Sequence, residues 1–412
     1  MAPKPASVAG RSLGGRSSTL SYHQQTAAPP ANTQQQQHGS GTGPASTAGG
    51  SQMTGGVPSL LLAKGYDVLG IIGEGTFGRV YLARHSSQPG RFLALKHMKP
   101  PQKEYEGLCA TALREVMLLK ALSHPNIVSL DSLHISPAEL SLCLAFPYAE
   151  TDLYDVIKHH RERQSAMLPH VFKSAMYQLL AGLAYLHSNW VLHRDLKPSN
   201  ILLEQGRLKI ADFGLARSVR QPLEPLWNNG VVVTIWYRAP ELLLDAKHYT
   251  GAIDVWAVGC IMAELLLLRP LFQGEERKGS QDVFQDDQLN RIFAALGHPG
   301  SQTPWVHLDS LRHWREDTGG CRTRKPEHGS VNLKQMLWEN SPLLRSFPKP
   351  DSLLELLLSM LTLDPNARIT AAAALQHEWF RQDPLPSADS VFAGQHGRQA
   401  PAYPQRAVRS CL

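Results

Sequence analysis

The spacing of apolar residues changes period about a third of the way along the chain, and this change restricts the possible architectures more than any other feature. From Tyr66 the apolar positions come in short alternating or β-branched runs with Gly or Pro between them. Tyr66–Ile72, Gly78–His85, Arg91–Met98 and Ser141–Phe146 are therefore predicted strands. One helix interrupts them: Leu108–Leu122 carries Leu108, Ala112, Val116 and Leu119 at helical spacing and stops at His124-Pro125. Beyond Phe146 the helical period takes over in Val171–His187, Ala252–Leu268, Val283–Leu296 and Ser352–Leu361, the last opening on Ser352 and Glu355 spaced as a capping box. Strands gathered first and helices after them predict an α+β chain of two lobes. Residues 299–350 pattern poorly, the Pro/Gly-rich tail from Asp383 reads as irregular, and no internal repeat is visible.

The segment ahead of the first strand joins neither lobe. Residues 1–57 hold no Asp, Glu, Ile, Phe or Trp and carry the run Gln34–Gln37, so burial cannot offset the entropy of ordering them, and disorder is expected. Arg11, Arg16 and the many serines also resemble an organellar transit peptide, although the glutamine run and the missing amphipathic stripe argue against one. With 41 Lys+Arg against 35 Asp+Glu, the net charge of +6 permits nucleic-acid contact, but without a dense basic block no direct nucleic-acid partner is expected. Glu264 breaks the apolar stretch Ile261–Leu268 well short of the ~20 residues a membrane span needs, so no membrane partner is expected. Cys109, Cys143, Cys260, Cys321 and Cys411 lie far apart with no CxxC pair, which disfavours a disulfide framework or a zinc knuckle.

Gly73-Glu74-Gly75-Thr76-Phe77-Gly78-Arg79-Val80 lies between two predicted strands. Alone, this glycine spacing also marks dinucleotide-binding turns and ordinary hairpins. A dinucleotide fold wants a helix next, however, and Val80-Tyr81-Leu82-Ala83 reads as strand. Such a hairpin can lay bare backbone N–H groups over phosphate oxygens. Lys96 follows 16 residues beyond Val80, and by itself it reads equally as a surface lysine on a strand edge. His193-Arg194-Asp195-Leu196-Lys197-Pro198-Ser199-Asn200 comes after a helix, Asp212-Phe213-Gly214 begins 12 residues after Asn200, and Ala239-Pro240-Glu241 completes the series. In this order and these contexts the motifs resemble a eukaryotic protein kinase from about Gly65 to Arg381.

The resemblance implies a bilobal kinase fold over residues 65–381. It places the small lobe at about 65–147, the helical lobe at about 148–381 and an irregular tail at 382–412. It also implies ATP and Mg²⁺ as cofactors. Phosphoryl transfer spreads negative charge over the phosphate oxygens, so catalysis is mostly positioning plus cations. Lys96, held by Glu115, is expected on the α/β phosphates, and Asn200 and Asp212 on Mg²⁺ through the hard oxygens it prefers. Asp195 is expected to take the acceptor proton, and Lys197, the form found in Ser/Thr kinases, to steady the γ-phosphate. Ile72, the glycine loop through Arg79 and Val80 would cover the nucleotide. Phe146-Pro147-Tyr148-Ala149 matches the hinge, where the Pro147 carbonyl and Ala149 amide would meet the adenine edge; proline loses only its N–H there. Val80 and Ala94 above and Leu202 below would sandwich the ring, and Asp152 would reach the ribose; as ordinary core residues the three apolar ones would look the same.

Trp236-Tyr237-Arg238-Ala239-Pro240-Glu241 resembles the group of cyclin-dependent, mitogen-activated and glycogen-synthase kinases, in which the arginine shapes a pocket for a proline after the phosphoacceptor. No Thr-x-Tyr pair stands between Gly214 and Thr234, and Ala112-Leu113-Arg114-Glu115-Val116 resembles the cyclin-contacting helix of cyclin-dependent kinases. Asn189-Trp190-Val191-Leu192, Lys247-His248-Tyr249-Thr250, the insert Gln273–Asp287, Asp383-Pro384-Leu385-Pro386 and Asp389-Ser390-Val391-Phe392-Ala393-Gly394 narrow the resemblance to the Mediator-associated branch partnered by cyclin C, similar to the plant E type. That branch implies a cyclin C-like partner, Mediator kinase-module subunits, and Ser/Thr-Pro substrates such as the RNA polymerase II tail. It also implies a nucleus-resident protein, without a compact Lys/Arg address in the chain. Two other readings stay open: a structural docking subunit with dispensable catalysis, and a cyclin-independent kinase. Asn229 stands where other cyclin-dependent kinases carry an activating threonine, yet Arg114, Arg194 and Arg217 remain. A partner's carboxylate is the expected occupant of that cluster, swinging Glu115 onto Lys96; three unrelated surface arginines are the plainer alternative. Asp254 is expected to brace the catalytic loop, and Glu241 to pair with Arg368.

Overall fold

Alternating apolar residues build the small lobe as an antiparallel sheet. The computed structural model describes residues 57–75, 78–98, 110–137, 141–219, 234–277, 284–299, 305–323, 332–392 and 403–411. The expected disorder of residues 1–57 lies, but for Val57, outside them. Strands β1 (Tyr66–Gly75), β2 (Gly78–His85), β3 (Gln88–Met98), β4 (Ser132–Ser136) and β5 (Ser141–Pro147) pair in the order β1-β2-β3-β5-β4. Both faces of this sheet are covered. Leu60 and Leu61 of helix α1 (Ser59–Ala63) pack with Tyr66, Tyr81, Leu95 and Cys143. On the other face Leu142 and Leu144 share a core with Ala112, Val116 and Leu119 of α2 (Ala110–Ala121), a core continuous with that of the large lobe. Double coverage explains why β5 reads as an unbroken apolar run rather than an alternating one.

The large lobe is built from α3 (Leu153–Glu162), α4 (Pro169–Ser188), α5 (Pro240–Leu243), α6 (Ala252–Leu267), α7 (Asp286–Leu296), α8 (Arg312–Arg315), α9 (Leu333–Asn340), α10 (Pro342–Arg345), α11 (Pro350–Met360) and α12 (Ala371–Leu375). Every side chain from Ile253 to Leu266 is buried, so α6 is the central rod of the lobe. Short strands line the junction of the lobes: β6 (Thr151–Asp152) pairs with β8 (Ile201–Glu204), β8 with β9 (Arg207–Ile210), and β7 (Val191–Leu192) with β10 (Arg217–Ser218). Among the described residues no helix is long and apolar enough to cross a membrane.

Several expectations need correction. The helix expected at Ser352 begins at Pro350, whose ring suits the first turn. Ser352 is then inside it, and its hydroxyl donates to the Lys349 carbonyl at 3.0 Å and Gln382 Oε1 at 2.7 Å instead of forming a capping box. Residues 299–350, left without assignment, contain α8, α9 and α10, each eight residues or shorter and too brief to show periodicity. Helix α3 and strand β4 also went unread. The described parts of the tail are irregular, as expected, but held by contacts: Val391 N–H donates to the Gly206 carbonyl at 2.8 Å, and Ile71 and Arg409 exchange backbone bonds of 2.8 and 2.9 Å.

Candidate active site

The cleft between the lobes is assembled from residues far apart in sequence. Strand alternation on β2 and β3 turns Val80, Ala94 and Lys96 into the cleft, and β5 carries Phe146 and Pro147 to its back edge. Ile72, Gly73, Glu74, Gly75 and Gly78 form its roof, Ala149 and Leu202 line the large-lobe side, and Asn200 and Asp212 its inner end. The cavity volume is about 300 Å³. At Gly78, with φ +150°, a Cβ would stand 2.0 Å from the His97 carbonyl oxygen, so the roof's return strand requires glycine. Arg79 is not in the cleft: its guanidinium pairs with Glu74 Oε1 at 2.9 Å on the exposed outer surface, because it neighbours inward-facing Val80. Thr76 and Phe77 lie outside the described residues.

Lys96 is the pivot of the charged end. Its Nζ donates to Glu115 Oε1 at 2.7 Å and to Asp212 Oδ1 at 3.0 Å. Burial pulls the ammonium's pKa down, but the two carboxylates outweigh it and hold Lys96 above its ordinary value. Burial likewise pushes Asp212 up, and Lys96 outweighs it, leaving the carboxyl below its usual range. Asp212 sits at φ +66°, a strained conformation that a non-glycine residue keeps where its side chain must be aimed. The structure therefore contains the Lys96–Glu115 pair already made.

The catalytic-loop motif is held by backbone contacts. His193 Nε2 donates to the Ala211 carbonyl at 3.0 Å, leaving Nδ1 to accept the Asp195 N–H at 3.3 Å. Asp254 on α6 accepts N–H groups of His193 at 2.9 Å and Arg194 at 2.8 Å, as well as the His187 ring at 3.0 Å. Lys197 Nζ and Asn200 Nδ2 both reach Asp195 Oδ2, at 2.8 and 3.1 Å. With its amide nitrogen on Asp195, Asn200 keeps its carbonyl oxygen for another partner. Asn200 and Asp212 thus offer hard oxygen donors on one cleft wall, a set that fits a small divalent cation. A second hollow runs from Asp195 past Thr234 to Arg238 and Ala239.

A scan of known protein families matches the protein kinase domain to residues 66–380. Cyclin-dependent kinase E-1 of Arabidopsis thaliana is 50% identical over 374 residues, 89% of this chain and 77% of the relative. Probable cyclin-dependent kinase 8 of Dictyostelium discoideum is 46% identical over 323 residues, covering 76% and 80%. Serine/threonine-protein kinase SSN3 of Phaeosphaeria nodorum is 41% identical over 350 residues, covering 79% and 77%. The chain is a serine/threonine protein kinase of the cyclin-dependent kinase family. As a protein kinase it uses ATP with a divalent metal.

Two features of this kinase depart from what its sequence suggested. Asp152, expected at the ribose, is already bonded by other groups. Its Oδ1 accepts the Asp155 N–H at 3.1 Å and caps α3, and its Oδ2 accepts from Arg406 Nη2 at 2.9 Å. Arg406 lines the cleft beside it, and no local motif marks it in a tail that reads as irregular. Burial, and after it the charges of Arg114 and Arg194, push the Arg217 pKa down to about 10. Arg194 lies 5.6 Å from the Tyr249 ring. Asn229 lies outside the described residues.

Proposed function

We propose that the kinase transfers the γ-phosphoryl group of Mg²⁺-bound ATP to Ser or Thr followed by Pro on transcription-machinery proteins, with the RNA polymerase II tail repeats as the leading acceptor. We assign it the place of cyclin C-dependent kinase of the Mediator complex, resident in the nucleus. The observation that carries the catalytic reading is Lys96 bonded at once to Glu115 and Asp212 on the wall of the cleft between the lobes. The branch assignment is supported by identity with relatives named cyclin-dependent kinase E-1 and cyclin-dependent kinase 8.

In this reading Lys96 holds the α/β phosphates, and Ile72, Gly73, Glu74, Gly75, Gly78, Val80, Ala94, Phe146, Pro147, Ala149 and Leu202 enclose the nucleotide. Thr76 and Phe77 are assigned to the nucleotide as well, and Asp152 to its sugar. Asn200 and Asp212 hold the metal, which supplies positive charge to the transferring group. The Asp195 carboxylate accepts the acceptor's hydroxyl hydrogen bond and then its proton, while Lys197 steadies the γ-phosphate. Arg238 shapes the pocket for the following proline; it is half-buried in the hollow beside Asp195. A carboxylate from the cyclin or another module subunit fills the Arg114–Arg194–Arg217 cluster in place of an activating phosphate.

The test is transfer of labelled γ-phosphate from ATP to a Ser-Pro peptide by the purified chain with cyclin C. Transfer that vanishes in Asp195→Ala is expected; none from the wild-type complex would overturn the catalytic reading. Full activity of an Arg114→Ala, Arg217→Ala double variant, assayed with the module's activating subunit, would end the carboxylate proposal. The docking reading predicts instead that Asp195→Ala fully rescues loss of the gene.

A further inference from the structure

One residue that lines the nucleotide cleft, Arg406, comes from neither lobe. Residues 403–411 cross the mouth of the cleft, tied to the large lobe at one end and the small lobe at the other. The Tyr403 hydroxyl lies 3.2 Å from His160 Nε2, and Arg406 N–H donates to the Glu150 carbonyl at 3.0 Å. Arg409 then pairs with Ile71 of β1, through N–H···O bonds of 2.8 and 2.9 Å. The crossing is close: a Cβ at Gly70 would stand 2.6 Å from the Arg409 carbonyl oxygen.

Between these anchors the Arg406 side chain lines the cleft and bonds Asp152 Oδ2 at 2.9 Å, the pair only 21% and 12% exposed. The other carboxylate oxygen is already engaged in capping α3. Each oxygen of Asp152 therefore carries a bond before a sugar hydroxyl arrives, and the charged donor is itself a group that lines the cleft.

We propose that Arg406 competes with the nucleotide's sugar hydroxyls for Asp152, so that the C-terminal segment sets the affinity of this kinase for ATP. This rests on the assignment of the sugar to Asp152 made above. A charge-assisted bond to a sheltered carboxylate is stronger than one from a neutral hydroxyl, so the sugar displaces Arg406 only at a cost to nucleotide binding. The anchors at Glu150 and Ile71 keep the guanidinium at high local concentration, which makes the competition persistent.

The experiment measures the ATP dissociation constant and KM for the full chain with its cyclin partner, as wild type, Arg406→Ala, and Arg406→Ala combined with Asp152→Ser. Serine caps a helix well but is too short to reach the sugar, so α3 keeps its start. Removing Arg406 is expected to tighten ATP by roughly three- to tenfold, the scale on which a sheltered ion pair outweighs a hydroxyl bond, with the gain appearing in KM. Adding Asp152→Ser should then weaken ATP again. Unchanged or weaker binding in Arg406→Ala, with a further loss on adding Asp152→Ser, would overturn the competition and leave the sugar assignment standing. No loss on adding Asp152→Ser would overturn both. If Arg406→Ala melts early, Arg406→Gln, which keeps the side-chain stem packed, carries the same comparison.

Discussion

At the scale of single residues, Asp254 and the Glu241–Arg368 pair show how buried charge supports the site from behind. Burial alone would raise the Asp254 pKa, yet the His187 ring and the backbone N–H groups outweigh it, and the carboxyl sits below its ordinary value. Because the folded value is depressed, its stabilisation is complete above the unfolded carboxylate range near ~4 and is lost as pH falls through the folded value. Asp254→Ala should flatten the acid limb of a urea-midpoint-against-pH curve. It should also lower kcat by about 10²-fold through a misplaced catalytic loop, with ATP affinity much less affected. Arg368 meets Glu241 through bonds of 2.7 and 3.0 Å, both side chains nearly fully buried. Glu241→Ala leaves an unpaired guanidinium and should cost about 3–5 kcal/mol, read as a lower denaturation midpoint. A loss below ~1 kcal/mol would show that water reaches the pair.

At the scale of elements, the β8–β9 hairpin links the catalytic region to the tail. Its two-residue turn places Gln205 at φ +49° and Gly206 at φ +78°, the left-handed pair that matches strand twist. A Cβ on Gly206 would stand 2.5 Å from Ser390 Oγ, while Gly206 O accepts the Val391 N–H at 2.8 Å. Residues Asp389–Phe392 of the Asp389–Gly394 motif, which marks the branch in sequence, therefore dock on a turn that needs glycine. Gly206→Ala should cost about 1–2 kcal/mol from strain and the displaced tail. Combining it with Ser390→Gly should recover part of that loss, because the closest clashing atom is gone; a strictly additive double variant would refute the contact.

At the scale of the whole molecule, Lys173 ties α4 to the end of the kinase domain. It has no exposed surface, and its Nζ donates to the Trp379 and Gln382 carbonyls at 2.7 and 2.8 Å, with the Trp379 ring 4.8 Å away. Burial pushes its pKa down to about 8, although Asp383 pulls the other way. The unfolded chain therefore holds more protons between about 8 and the ordinary lysine value near ~10, and this group makes folding more favourable as pH rises through that window. Lys173→Met should remove that increment from the difference between urea midpoints at pH 7.5 and 10. An unchanged difference would show that Lys173 is solvated.

The two-lobe order, the main strands and long helices, and the motifs around Lys96, Asp195 and Asp212 were legible in the chain, because period and turn chemistry act between near neighbours. Short elements such as α8 and α10 were not, since a single turn shows no period. The capping box at Ser352 misled for a related reason: Pro350 starts the helix and Gln382, far along the chain, engages the serine. Arg79 followed its motif in sequence but not its neighbours in space. Arg406 reaches Asp152 across 254 positions, and nothing near either residue encodes that meeting. Local sequence determined which groups of this kinase can do chemistry. Only the packing of the tail over the cleft decided that Arg406 lines it and meets Asp152, because contacts between distant segments depend on the shape of the whole fold.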